Sequence, residues 1–281
     1  MNSEDIRSNR KKYIKSAIVL LIVIALLLFC SYQNRHLETT YYTYKAEQLG
    51  ADLDGYRIVQ ISDLHNAKFG KNNQRLVDRI RECDPDMIVL TGDLVDSNHT
   101  NVDRAVQFVN EIVKICPVYY VTGNHEYWLD TSEYENLMDG VASAGVIILD
   151  NQVVEISRWD AKFRLVGLDD KSLADGTLEA LLSDEKELTV VLAHEPQYFA
   201  RYAGTGVDLV LSGHAHGGQF RLPFVGGIVA PDQGFLPEYT AGEYYMNGTE
   251  MIVSRGLGNS VIPVRLFNYP EIVCVELVGM H

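Results

Sequence analysis

The stretch L-S-G-H-A-H-G-G-Q at residues 211–219 sets His214 and His216 one residue apart, directly after an apolar run at residues 207–211. The run has the length and content of a short buried strand, and the glycines behind it signal a turn. Small residues at Gly213, Ala215, Gly217 and Gly218 let the backbone take unusual angles and approach a ligand closely. A turn of this kind can aim both imidazoles at one point, as a metal site requires. Alone the pair proves little, because residues two apart on any strand face the same side.

Four clusters upstream give it weight. Asp63 and His65 lie in I-S-D-L-H, Asp93 in V-L-T-G-D, Asn124 and His125 in V-T-G-N-H-E, and His194 in V-V-L-A-H-E-P. Each follows a β-branched or leucine-rich run, at residues 57–62, 87–90, 118–121 and 189–193. Polar residues at the carboxyl ends of successive strands occupy the place where open α/β sheets bind ligands.

Between these runs, apolar spacing predicts helices over residues 72–83, 101–115 and 131–144, the last N-capped by Thr131 or Ser132. Residues 146–149, 153–156 and 163–167 read as a meander, short helices cover 178–182 and 196–202, and strands return at 242–246, 251–254 and 272–278. The expected fold is α/β: a sandwich of two mixed β-sheets flanked by helices, with the site along the strand ends at one edge. The apolar loop from Phe220 to Phe235 is expected by default to pack in the core, the alternatives being that it dips toward lipid or covers the site.

Composition divides the chain at its start. Residues 17–30 are uninterruptedly apolar, and the run extends over 14–32 with Lys15 as its one charge, close to the ~17 to 25 residues of a transmembrane helix. Phe29 and Tyr32 stand where a signal peptidase needs small residues, and Phe29 is too large for lipoprotein processing at Cys30. The expected organisation is therefore an N-terminal transmembrane helix within residues 1–36 and a single body over 37–281. Arg7, Arg10, Lys11, Lys12 and Lys15 precede the run and Arg35 follows it, which predicts a cytoplasmic N-terminus and an extracytoplasmic body. Residues 1–36 hold six basic and two acidic residues of the chain's 24 and 38, so the body carries 18 and 36, a net of −18. Such a surface repels polyphosphate backbones and argues against a nucleic-acid partner. The four cysteines, Cys30, Cys83, Cys116 and Cys274, are too scattered for a disulfide framework.

Carboxylates, imidazoles and one amide suit borderline divalent ions such as Mn, Fe, Zn or Co better than calcium. Their number is too large for one tetrahedral ion and fits two ions sharing a carboxylate. The ordered series D-x-H, G-D, G-N-H-E, H and G-H-x-H resembles the calcineurin-like metallophosphoesterases. G-H-A-H-G-G-Q, S-R-G-L-G-N-S and P-V-R-L-F-N-Y-P-E-I are similar to the bacterial membrane-anchored YkuE/YaeI-type branch, and the likeness runs from Tyr56 to Leu277. The resemblance implies that Asp63, His65 and His216 hold one metal, Asn124, His194 and His214 the other, and that Asp93 bridges them. It makes His125 the outer-sphere group over the leaving oxygen, with Asp63 orienting its ring indirectly, and brings Arg255 near the site, either to fork a bound phosphate or as an ordinary salt-bridged arginine. The implied function is hydrolysis of a phosphodiester or pyrophosphate by a metal-bridging hydroxide, on a small-molecule, lipid-linked or cell-wall phosphate at the membrane. The competing reading is a non-catalytic metal-containing binding module on the same fold.

Overall fold

The structure, a computed structural model, describes residues 3–46, 49–174, 176–182, 187–260 and 262–280. Its first element is helix α1 (Ser3–Arg35). Within it Lys12–Arg35 is long and apolar enough to cross a membrane, and none of its apolar window is buried in the body.

The body begins with strand β1 (Glu38–Ala46) and continues through β2 (Tyr56–Ile61), α2 (Gln74–Glu82), β3 (Met87–Thr91), α3 (Val102–Ile112), β4 (Val118–Val121), α4 (Asn124–Tyr127), α5 (Thr131–Ser143) and β5 (Ile147–Ile148). The second half comprises β6 (Gln152–Arg158), β7 (Ala161–Gly167), α6 (Thr177–Leu181), β8 (Thr189–Leu192), α7 (Phe199–Tyr202) and β9 (Leu209–Ser212). Two short hairpins follow, β10 (Arg221–Leu222) with β11 (Gly226–Gly227) and β12 (Val229–Ala230) with β13 (Gly234–Phe235), and then β14 (Gly242–Met246), β15 (Thr249–Val253) and β16 (Glu271–Gly279).

These strands form two six-stranded mixed sheets, ordered β1-β16-β2-β3-β4-β5 and β14-β15-β9-β8-β7-β6. The chain crosses back to the first sheet at the end, where β16 lies parallel to β1 and antiparallel to β2. Alternation along each strand sends one set of side chains between the sheets and the other outward. Ile58, Val89 and Val121 meet Val190, Leu211 and Ile252 in the inter-sheet core. On the outer face of the first sheet, Ile88 and Leu90 pack against Leu76 and Ile80 of α2, Phe108 and Ile112 of α3, and Leu137 of α5. Phe199 and Tyr202 of α7 cover Val191 and Val210 on the second.

Several local expectations are corrected. Residues 147–148 extend the first sheet, parallel to β4, so the meander reduces to the β6–β7 hairpin and β7 to β9 are all parallel. Helix α5 is capped by Asp130, whose carboxylate accepts from Glu133 N at 2.9 Å while Ser132 Oγ donates to it at 2.8 Å. Asn101 is the cap of α3 and not its first residue. The loop around 220–235 is not core: Phe224 is fully exposed and Phe235 is 75% exposed. All four cysteines are free, with Cys83 and Cys274 buried.

Candidate metal centre

Five strands of the two sheets point their carboxyl ends at the same edge of the sandwich, and each ends in one of the histidine and aspartate clusters. Gln60 ties the sheets together there, its Nε2 donating to Thr91 Oγ1 and to Ser212 O, both at 2.9 Å. Asp63, His65, Asp93, His214 and His216 all have positive φ, between 44° and 61°. Asp, Asn and His are the non-glycine residues that enter this region most readily, and it turns each side chain out of its strand and into the pocket. Gly123 is needed for space, since a Cβ there would collide with Asp93 Oδ1 and lie 2.9 Å from His194 Nε2.

Asp63, His65, Asp93, Asn124, His125, His194, His214 and His216 are all buried, and these eight residues share one pocket. Asp93 Oδ2 stands between two sets, 3.4 Å from His65 Nε2 and 3.3 Å from His194 Nε2. On one side are Asp63, His65 and His216, with His216 Nε2 3.7 Å from Asp63 Oδ1. On the other, His194 Nε2 lies 3.1 Å from Asn124 Oδ1 and 3.2 Å from His214 Nδ1.

The ring orientations follow from hydrogen bonds outside the pocket. His194 Nδ1 lies 2.7 Å from the carbonyl of Thr91, which can only accept, so Nδ1 carries the proton and Nε2 presents its lone pair inward. His214 Nε2 lies 2.9 Å from Asp232 Oδ2, so its Nδ1 presents a lone pair in turn. Once the second proton that the site draws onto His194 is displaced, lone pairs of His194, His214, Asp93 and Asn124 converge, an arrangement that a cation relieves. Both ring nitrogens of His65 and Nδ1 of His216 are buried without a hydrogen-bond partner. This donor set, with its unpartnered nitrogens and one carboxylate oxygen between the two groups, fits two divalent cations.

Electrostatics agree with the geometry. Burial foremost holds His65 well below the ordinary imidazole range, and burial together with Arg265 holds His216 down at about 4, so both stay neutral. Burial opposes charge on Asp93 and His194 as well, yet their mutual attraction keeps the carboxyl well below and the imidazole well above their usual ranges. The negative field draws a proton onto His194, which a bound cation would displace.

Neighbouring residues for which no role was expected hold this arrangement. Glu126 is wholly buried and accepts from the backbone N–H groups of Gly123 (2.7 Å), Leu94 (2.8 Å), Asp93 (2.9 Å) and Val95 (3.3 Å), locking two site loops together. Ser97 N donates to His125 Nδ1 at 3.1 Å, and Ser260 Oγ lies 3.1 Å from His125 Nε2. The Asp63 carboxylate accepts from His214 N at 3.0 Å and has no hydrogen bond to His125 among those of the described residues. Arg265, fully buried, donates to the carbonyls of Arg255 (2.8 Å) and Gly258 (2.5 Å) and shapes the loop that carries Ser260. Arg255 meets the ion-pair alternative: its Nη2 donates to Glu38 and Glu271, 2.8 Å from each.

The calcineurin-like phosphoesterase family pattern matches residues 56–218, a span that includes all eight of these residues. The chain is 33% identical to the uncharacterized metallophosphoesterase YkuE of Bacillus subtilis strain 168, over 89% of this chain and 88% of that protein. It is also 33% identical to an uncharacterized metallophosphoesterase of Aquifex aeolicus strain VF5, over 87% and 95% of the two chains. Phosphodiesterase YaeI of Escherichia coli K12 is 31% identical over 79% of this chain and 82% of its own. The chain belongs to the calcineurin-like phosphoesterase family. It is accordingly a metal-dependent hydrolase of phosphoric esters.

Proposed function

We propose that the protein is a membrane-anchored phosphodiesterase, with residues 1–36 as anchor and 37–281 as an extracytoplasmic catalytic body acting on a lipid-linked or envelope phosphate. In this reading Asp63, His65 and His216 hold one cation, Asn124, His194 and His214 the other, and Asp93 both. The observation that carries it is the position of Asp93 Oδ2, 3.4 Å from His65 Nε2 and 3.3 Å from His194 Nε2. Mixed nitrogen and oxygen donors favour Mn, Fe, Zn or Co. Bound there, two such ions would supply an acidified water and neutralise phosphoryl oxygens.

The chain's own part is to orient and to move a proton. With Nδ1 accepting from Ser97 N, neutral His125 keeps its proton on Nε2, where it can be given to a departing alkoxide. Glu126 and the Thr91 carbonyl hold Asp93 and His194 in register. The phosphodiester preference is taken from YaeI, and the anchor from the exposed apolar span of α1. A non-catalytic binding module would have no use for a proton-bearing His125 beside the cluster.

Hydrolysis of bis(para-nitrophenyl) phosphate by the full chain, with each divalent ion in turn and metal content measured alongside, tests the reading. Activity with near two ions per chain is expected; an inert wild type at that metal content rules for the binding module. Protease added to intact cells is expected to degrade the body. Protection until lysis would reverse the topology.

A further inference from the structure

We propose that the apolar hollow beside His216 receives the hydrocarbon part of a membrane lipid phosphoester, loaded from a bilayer into which the exposed apolar residues of the adjoining hairpins dip. The proposal rests on the phosphoesterase reading above and specifies its substrate class.

The anchor fixes the height of this region. Phe29, near the end of the apolar span of α1, packs edge-on against Phe267 with ring centroids 5.9 Å apart. Tyr32 and His36 pack on Tyr269 at 6.0 and 4.6 Å. Asn34 Nδ2 donates to Pro263 O at 2.9 Å, and Asn34 Oδ1 accepts from Arg265 N at 2.9 Å. The 263–269 loop is thereby fastened along the last turns of the anchor. Phe29 precedes Arg35, the end of the helix, by a stretch of about 9 Å at ~1.5 Å per residue. Phe267 thus lies at the depth of the membrane interface, where aromatic side chains concentrate.

The hairpins grow from this loop. Arg221 N donates to Leu266 O at 2.9 Å, and Gln219 Nε2 donates to Ile262 O and Val264 O, both at 2.7 Å. The β10–β11 turn carries Leu222, Phe224 and Val225, and Phe235 and Leu236 stand at the base of the β12–β13 hairpin, all exposed. Large exposed apolar side chains gathered on adjoining hairpins are costly in water and are expected where a surface meets another apolar phase.

Beside His216, and lined in part by β12, lies a hollow of about 250 Å³. Val229, Ala230, Pro231 and Ile262 wall it together with His216 and Ser260. The amide nitrogen of Gln219 is occupied by the two carbonyls, so the walls offer little to a sugar or nucleoside and suit a hydrocarbon chain. Ser260 also touches His125 Nε2, so a ligand seated here would have its head at the reacting groups.

The test compares two diesters with the same leaving group. In each, water adds at phosphorus, the P–O bond to the aryl group breaks, and para-nitrophenolate and an alkyl phosphate are released. Full chain reconstituted in phosphatidylcholine–phosphatidylglycerol vesicles is expected to favour hexadecyl over methyl para-nitrophenyl phosphate by at least about tenfold in kcat/KM. Ile262→Asp is expected to bring that ratio toward one and Ile262→Leu to keep it. Hydrolysis of the methyl ester with no preference for the hexadecyl ester overturns the subsite while leaving the phosphoesterase reading intact. Failure on both esters with every divalent ion removes the phosphoesterase reading and the subsite with it. Independently of metal, Phe224→Trp in the same vesicles made with brominated phosphatidylcholine is expected to show quenching beyond that of Trp128 and Trp159. No added quenching would refute insertion of the hairpins.

Discussion

The backbone N–H of Ser97 points at Nδ1 of His125 from 3.1 Å, so the neutral ring carries its proton on Nε2, the nitrogen beside Ser260. That proton is available to a leaving oxygen without any turn of the ring. His125→Ala is predicted to lower kcat by ~10² to 10⁴, most with poor leaving groups, which depend on protonation, and least with para-nitrophenolate. Metal content should not change, because the two ligand sets do not use the His125 ring. Equal losses across a series of leaving groups would show that His125 does not deliver a proton.

Asp232 is predicted to tune the metal through His214. Its Oδ2 accepts from His214 Nε2 at 2.9 Å, which fixes the tautomer and raises the basicity of Nδ1. Asp232→Asn should weaken binding of the adjacent ion by ~10- to 100-fold, with activity recovered as the ion concentration is raised. Titration of the metal-free variant by calorimetry measures this directly, and an unchanged affinity would assign Asp232 to the surface alone.

The ligand clusters were legible in the sequence because each closes a run of strand-forming residues, so that chain order alone brings Asp63, Asp93, Asn124, His194 and His214 to one edge. Asp232 and Ser97 were not, since each reaches the site as a single polar side chain on a loop with no period to mark it, and Ser260, though inside S-R-G-L-G-N-S, follows no strand run that would aim it at the site. The ion-pair partners of Arg255 were hidden for a related reason: Glu38 and Glu271 stand on β1 and β16, and only the pairing of chain ends brings them together. Phe224 and Phe235 were misassigned to the core because two-residue strands are too short to reveal which face of a hairpin is wet.

Glu126 is predicted to be a structural acceptor whose loss is felt at the metals. Burial and nearby Asp93 push its carboxyl up to about 8, against the pull of the backbone donors around it. Those four N–H groups need acceptors, and Glu126→Gln would turn an amide N–H₂ toward some of them. The expected cost is roughly 1–3 kcal/mol, or a fall of about 2 to 12 °C in Tm for a domain of this size. Metal affinity should fall with it, because Asp93 N is one of the donors released. A variant with unchanged Tm and metal affinity would show that the loops hold without the carboxylate.

Asp150 provides a pH-dependent test away from the metals. Its carboxylate accepts from Thr122 N at 2.9 Å and from Thr122 Oγ1 at 3.0 Å. Burial nevertheless pushes its pKa up to about 6, with Asp169 and Asp170 adding to the shift. The folded chain therefore favours the protonated acid more than the unfolded chain does. Its contribution to stability is complete below the ordinary carboxylate pKa and is lost as pH rises through about 6. Asp150→Asn keeps an acceptor for Thr122 N and a donor for Thr122 Oγ1 while removing the charge. The variant should match wild type near pH ~4 and exceed it by up to about 3 kcal/mol above pH ~7. Denaturant unfolding of the two proteins across this range measures the difference. A gain that is constant with pH would mean that packing, and not ionisation of Asp150, separates them.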